Sequence, residues 1–158
     1  MSNPLLHFVG LPKFEEIKAE HVSPAIDFLL SEARTTVNSL ATSEEAPSWQ
    51  NYVLPLEDME EKLSRAWSQV GHMNGVVNSP ELREAYNENL TKLTDFYADL
   101  GQDERLYAKF RALKNSAEFA KLTSTQQKII ENELRDFRLG ELSKFSAIFN
   151  ARNLAYKR

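Results

Sequence analysis

Apolar residues recur every three or four positions through most of this chain, the pattern of helices with one buried face. Ala25, Ile26, Leu29, Leu30, Ala33, Val37 and Leu40 make one stripe. Its helix is predicted to open between Val22 and Pro24, with Ser23 as the cap. A polar loop, Thr42 to Pro47, follows. The longest pattern advances from Trp49 through Tyr52, Val53, Leu56, Met59, Leu63, Ala66, Trp67 and Val70 to Met73. Pro55 interrupts it, because a proline lacks an amide donor and its ring meets the carbonyl four residues back, here Asn51. Either the helix kinks there, or a short helix ends and a longer one begins at Pro55. Ser79 and Pro80 read as the cap and first residue of the next helix, so the preceding one should end near Val77 or Asn78.

That third helix carries Leu82, Ala85, Tyr86, Leu90, Leu93, Phe96, Tyr97 and Leu100, and Gly101 suits a left-handed C-terminal position. Asp103 can cap a fourth helix that buries Leu106, Tyr107, Phe110 and Leu113, broken at Asn115 and Ser116. Thr123 with Gln126 forms a capping box for a fifth helix carrying Ile129, Ile130, Leu134 and Phe137. Gly140 is expected to end it. Leu142, Phe145, Ile148 and Phe149 give the last segment an apolar face. Residues 1–17 look extended, because Pro4 and Pro12 disfavour helix before them; Leu11, Phe14 and Ile17 are expected to pin this arm. The chain is predicted to be all-α: an antiparallel array of about five to six helices with an extended N-terminal arm, forming a single domain over residues 1–158.

Composition narrows the function classes. A chain of 158 residues can enclose its own core. The net charge of −4 argues against nucleic acid or an anionic membrane as the main partner. Residues 141–158 hold four cations against one anion, a net +3, which leaves −7 on residues 1–140. Without cysteine there are no disulfides, thiolate metal sites or Cys nucleophile, which fits a cytoplasmic protein. No apolar run approaches membrane-spanning length, and the opening MSNPLLHFVG has no signal-peptide character.

The search for chemistry returns no site. His7, His21 and His72 have no second histidine at metal-ligand spacing, and H-E-x-x-H is absent. Glu57 with Glu61, and Glu131 with Glu133, are neighbours that any charged helix face produces. Gly71 and Gly75 lie four apart, where they permit close helix contact or fray a helix end. Catalytic, metal-ligating and cofactor-binding residues are therefore all assigned as none.

Particular stretches do carry a resemblance. NPLL (Asn3–Leu6), LPKFEEIKAEHVSPAI (Leu11–Ile26), the run from Ser48 to Tyr86 containing NSPELREAY, and NELRDFRL (Asn132–Leu139) occur in order. Together they resemble the N-terminal region of the thimet-oligopeptidase-like (oligopeptidase A) family of zinc metallopeptidases. The resemblance covers nearly all of residues 1–139; residues 140–158 form a divergent tail.

The resemblance implies a helical domain in the wall of a deep channel that admits short peptides, in an enzyme whose zinc and catalytic glutamate lie far downstream. No position here matches them, so zinc is expected only in the full-length family, and the isolated chain is expected to be inactive. The expected partners are the missing catalytic region or short peptides, with self-association possible. The alternative is a stand-alone truncated paralogue acting as a helical peptide- or protein-interaction module, for which the basic ending YKR is the motive.

Overall fold

The computed structural model describes residues 3–139. Five helices account for most of them: α1 (Ala19–Thr42), α2 (Leu54–Val76), α3 (Pro80–Gly101), α4 (Glu104–Lys114) and α5 (Ser124–Leu139). No strand occurs among the described residues, so the all-α expectation holds. The predicted segment beyond Gly140, with Leu142, Phe145, Ile148 and Phe149, lies outside the described residues. The chain divides into two compact units. One comprises Met1–Asn38 and Leu54–Thr94, and the other Ser39–Val53 and Asp95–Arg158.

In the first unit, side-chain pairs fix the helix directions. Trp67 and Tyr86 stack at 4.7 Å between ring centres, so α2 and α3 form an antiparallel hairpin around the turn at Val77–Ser79. Asn78 takes φ 51°, a left-handed conformation that asparagine tolerates better than most residues. Ser79 Oγ then accepts the Leu82 amide at 3.2 Å, and Pro80 opens α3, as the sequence predicts. Asn89 Nδ2 donates to Ser23 Oγ at 2.8 Å, and Lys92 Nζ to Asp27 Oδ1 at 2.8 Å. Both positions advance together, so α1 runs parallel to α3. Val22, Ala25, Ile26, Leu29, Leu30 and Ala33 are buried along α1, against Leu63, Ala66 and Val70 of α2 and Leu82 and Leu93 of α3 in the same core. Val37 and Leu40, the last two residues of the predicted stripe, are half-buried.

The start of α1 differs from the expectation. The helix opens at Ala19 and carries Pro24 inside it. Lys18 occupies the cap position. Its amide donates to His21 Nδ1 at 3.1 Å, and the His21 amide donates to the Lys18 carbonyl at 3.0 Å. His21 thus takes the place that Glu or Gln holds in a capping box, reaching back from the third helical position. Ser23 is not a cap. Its hydroxyl accepts from Asn89 and lies 3.4 Å from Glu88 Oε2.

The N-terminal arm also departs from the prediction. It contains two 3-10 turns, Pro4–Leu6 and Phe14–Glu16, rather than continuous extended chain. Asn3 Oδ1 accepts the Leu5 amide at 3.0 Å, and Asn3 Nδ2 donates to the His21 carbonyl at 2.8 Å. Those bonds seat Leu5, which is fully buried, as the anchor. Ile17 is buried as expected, but Leu11 is 88% exposed and Phe14 is 36% exposed. The turns between Leu5 and Ile17 carry the middle of the arm outward, so its aliphatic residues do not reach the core.

In the second unit, Pro55's predecessors form a π-helical turn, Trp49–Val53. The Ser48 carbonyl accepts both the Tyr52 amide at 3.1 Å and the Val53 amide at 3.4 Å. The wider turn opens the backbone just where the Pro55 ring would otherwise meet the Asn51 carbonyl. The π-helical turn passes directly into α2 at Leu54, so no helix ends and restarts at Pro55. The core of this unit is aromatic: Tyr52 meets Phe110 edge-on at 4.9 Å, and Phe137 approaches Tyr107 at 6.0 Å. Lys114 pairs with Glu131 at 3.0 Å, which with the Phe110–Phe137 contact makes α4 and α5 an antiparallel hairpin. Asp103 caps α4, and Thr123 and Gln126 exchange their predicted bonds at 3.0 and 3.3 Å. Gly101 is not left-handed. It stays within α3, and the helix end closes by amide bonds from Gln102 to Asp99 and Asp103 to Leu100.

Candidate functional site

A cleft of about 430 Å³ lies between α1 and α2 in the first unit, walled by Leu29–Thr36 on one side and Pro55–Lys62 on the other. Its origin is in the residue sizes. The packing face of α1 changes from Ile26, Leu29 and Leu30 to Ala33 and Thr36, and α2 opposite begins with the compact ring of Pro55. The loss of bulk on α1 leaves room that Pro55, Asp58 and Met59 of α2 line without filling. Buried Leu29 and Ala33 with half-buried Met59 give an apolar floor, and Glu32, Asp58, Lys62 and Thr35 give a polar rim. Thr35 Oγ1 is occupied, donating to the Ser31 carbonyl at 2.9 Å. This cleft has the form of a binding surface, with an apolar base and a few polar groups to orient an occupant. No motif announces it. The signal in the sequence is the loss of side-chain bulk between Leu30 and Val37.

The histidines do not converge. His7 is exposed, His21 holds the start of α1, and the His72 ring packs on Phe14 at 4.8 Å. No group of three or more His, Asp or Glu side chains is placed to hold a metal among the described residues. Several carboxylates have structural partners. Glu61 pairs with Arg65 Nε at 2.8 Å. The Lys114 ammonium beside Glu131 holds that carboxyl below its usual range. Glu81 is also lowered, by backbone bonding at the start of α3 and by Ser79.

Two further groups are displaced from their ordinary values by the fold. Burial, then the negative charges of Asp103 and Glu133, push the Tyr52 phenol well above its usual range. Its hydroxyl donates to the Leu106 carbonyl at 2.9 Å, a structural use of the proton. Lys92 donates to Asp27 at 2.8 Å and pairs with Glu88 at 3.0 Å, and the Asp27 bond raises its ammonium above the usual lysine value. This cluster ties α1 to α3 at the surface and presents no reactive group.

Residues 26–144 match the N-terminal domain of neurolysin/thimet oligopeptidase. Oligopeptidase A of Haemophilus influenzae is 48% identical over 139 residues, covering 88% of this chain and 20% of that protein. Oligopeptidase A of Escherichia coli is 40% identical over the same length, again 20% of that protein. A probable cytosolic oligopeptidase A of Arabidopsis thaliana is 33% identical over 135 residues, 85% of this chain and 19% of that protein. The chain thus spans about a fifth of the length of these relatives. It belongs to the neurolysin/thimet oligopeptidase family and carries that family's N-terminal domain.

Proposed function

We propose that this chain serves as the N-terminal helical domain of a cytoplasmic oligopeptidase that hydrolyses short peptides, where it lines or gates the substrate channel and is not catalytic by itself. The observation that carries this reading is the 48% identity to an oligopeptidase A across 88% of the chain but only 20% of the relative. The α1–α2 cleft supports it: an apolar floor with a mixed-charge rim suits side chains of varied peptides better than one fixed ligand. The described residues bind, orient and exclude; hydrolysis is assigned to the region that the relatives carry beyond the matched stretch.

The test is a peptidase assay with two arms. The purified chain, with and without added zinc, is incubated with a short fluorogenic peptide, and no chelator-sensitive cleavage is expected. Haemophilus influenzae oligopeptidase A is then prepared with its matched N-terminal stretch exchanged for residues 1–139 of this chain. That chimera should cleave the same peptide, and substitutions in the cleft, such as Met59→Trp, should change KM more than kcat. Zinc-dependent cleavage by the isolated chain, freed of host peptidases, would overturn the non-catalytic reading.

A further inference from the structure

The rim of the α1–α2 cleft carries three charged side chains, Glu32, Asp58 and Lys62. All three are exposed, and none has an ion-pair or side-chain hydrogen-bond partner among the described residues. Elsewhere in the first unit such charges pair with one another, Glu61 with Arg65 and Lys92 with both Asp27 and Glu88. The cleft therefore joins an apolar floor to charges that the fold itself does not use.

The helix directions place those charges. α1 runs parallel to α3, and α3 antiparallel to α2, so α1 and α2 run in opposite directions. The walls are drawn from residues 29–36 and 55–62, so Thr36 lies toward Pro55 and Leu29 toward Lys62. Glu32 and Asp58 then stand on opposite walls near the middle of the cleft. Lys62 lies one helical turn beyond Asp58, at the Leu29 end. The floor is Leu29 and Ala33, both buried, with half-buried Met59.

We infer that this cleft selects the basic side chains of a peptide, lysine or arginine, with the methylene stem on Leu29, Ala33 and Met59 and the cationic head between Glu32 and Asp58. The inference rests on the proposed function above and narrows its peptides to a class. Charge complementarity decides among the occupants. A purely apolar side chain would gain the floor but strip water from carboxylates that receive no partner in return. An acidic side chain would meet two carboxylates against one ammonium, a net repulsion. A basic side chain buries its stem while its head stays at the wet rim, where both carboxylates accept from it.

The experiment titrates this chain, isotope-labelled at its methionine methyl groups, with three blocked tripeptides. Each has glycine at both ends and arginine, norleucine or glutamate in the middle. The Met59 methyl reports on the cleft, and Met73, on α2 outside it, is the internal control. The arginine peptide should shift Met59 and bind about fivefold or more tightly than the norleucine peptide, with the glutamate peptide weakest. Glu32→Gln with Asp58→Asn should bring the arginine peptide down to the norleucine level, and Lys62→Gln should tighten it. Added salt should weaken the arginine peptide alone. All three positions are exposed, so the melting temperatures of the variants should match the parent. Equal binding of the arginine and norleucine peptides overturns the inference and leaves the channel-lining reading standing. So does an arginine peptide that binds the parent and the double variant alike. A Met59 signal that no peptide moves overturns the inference and also withdraws the cleft's support from that reading. The peptidase assay above decides the non-catalytic reading independently of all three peptides.

Discussion

The Tyr52 hydroxyl donates to the Leu106 carbonyl at 2.9 Å, joining the π-helical turn to the first turn of α4 across 54 positions of sequence. The ring beneath it is 2% exposed and meets Phe110 edge-on. One side chain therefore closes the aromatic core of the second unit and satisfies a buried carbonyl. Tyr52→Phe should cost about 1 kcal/mol, the net worth of one buried hydrogen bond. Tyr52→Ala should cost about 3–5 kcal/mol through the cavity it leaves. Urea denaturation of the two variants measures both.

The same residue sets an alkaline limit. Its folded pKa is raised, above all by burial, so the folded state keeps a proton that the unfolded state loses. The contribution is complete below the unfolded value near 10 and declines as pH rises beyond it. The expected result is a stability curve that falls above about pH 10 in the parent and less steeply in Tyr52→Phe, read from denaturant midpoints across pH 8–11.

Local signals explain what the sequence made visible. Ser79, Asp103 and the Thr123–Gln126 pair act within four residues of themselves, and each forms its predicted bonds. The misread positions depend on distant partners. Ser23 followed by Pro24 has the form of a cap and first helical residue, but Asn89, 66 positions away, claims the Ser23 hydroxyl. Leu11 looks like an anchor by hydropathy alone. Its exposure follows from Leu5 and Ile17 taking the two anchor sites and from the turns between them. The α1–α2 cleft shows in the sequence only as a loss of side-chain bulk between Leu30 and Val37, which becomes a cleft where α2 is set opposite it.

Asp103 governs the acid side of the second unit. Its carboxylate accepts the Arg105 amide at 2.9 Å and the Arg105 guanidinium at 2.7 Å, and Arg105 holds it below the usual carboxylate range. A lowered folded pKa means stability that is present above the unfolded value near 3.9 and lost as pH falls through the folded one. Asp103→Ala should cost about 1 kcal/mol at neutral pH. Asp103→Asn should retain most of the cap and flatten the decline below about pH 4, because the cap then has no charge to lose. Acid titrations followed by far-UV circular dichroism separate the two.

Asn89 is fully buried and donates twice, to Ser23 Oγ at 2.8 Å and to the Ala85 carbonyl at 2.7 Å, while its own Oδ1 has no protein partner. Asn89→Asp would remove both donors and place a carboxylate in the core beside Glu88, so it should destabilise more than Asn89→Ala, by about 3 kcal/mol or more. Asn89→Ala should cost about 1–3 kcal/mol. If the Ser23 bond is the main contribution, Asn89→Ala and Ser23→Ala will be strongly non-additive in a double-mutant cycle. Additivity within about 0.3 kcal/mol would mean that the α1–α3 contact rests on packing instead.

Pro24 tests how far the rest of the fold overrides local preference. It lies in the second turn of α1, where an amide should donate to the carbonyl of Glu20 and a proline cannot. The helix persists because Val22, Ala25, Ile26, Leu29 and Leu30 are buried along its length and because the Lys18–His21 exchange holds its start. The proline side chain is exposed and fills no cavity, so Pro24→Ala removes no packing. It restores a helical hydrogen bond and relieves the ring's approach to the Glu20 carbonyl, against an unfolded-state entropy loss of about 0.4–1 kcal/mol. The net expectation is a gain of about 1 kcal/mol in unfolding free energy, with slower amide exchange over residues 19–26. A loss of stability instead would mean that the bend imposed by Pro24 is needed to set Ser23 against Asn89. In that case the loss should disappear when Pro24→Ala is made in the Asn89→Ala background.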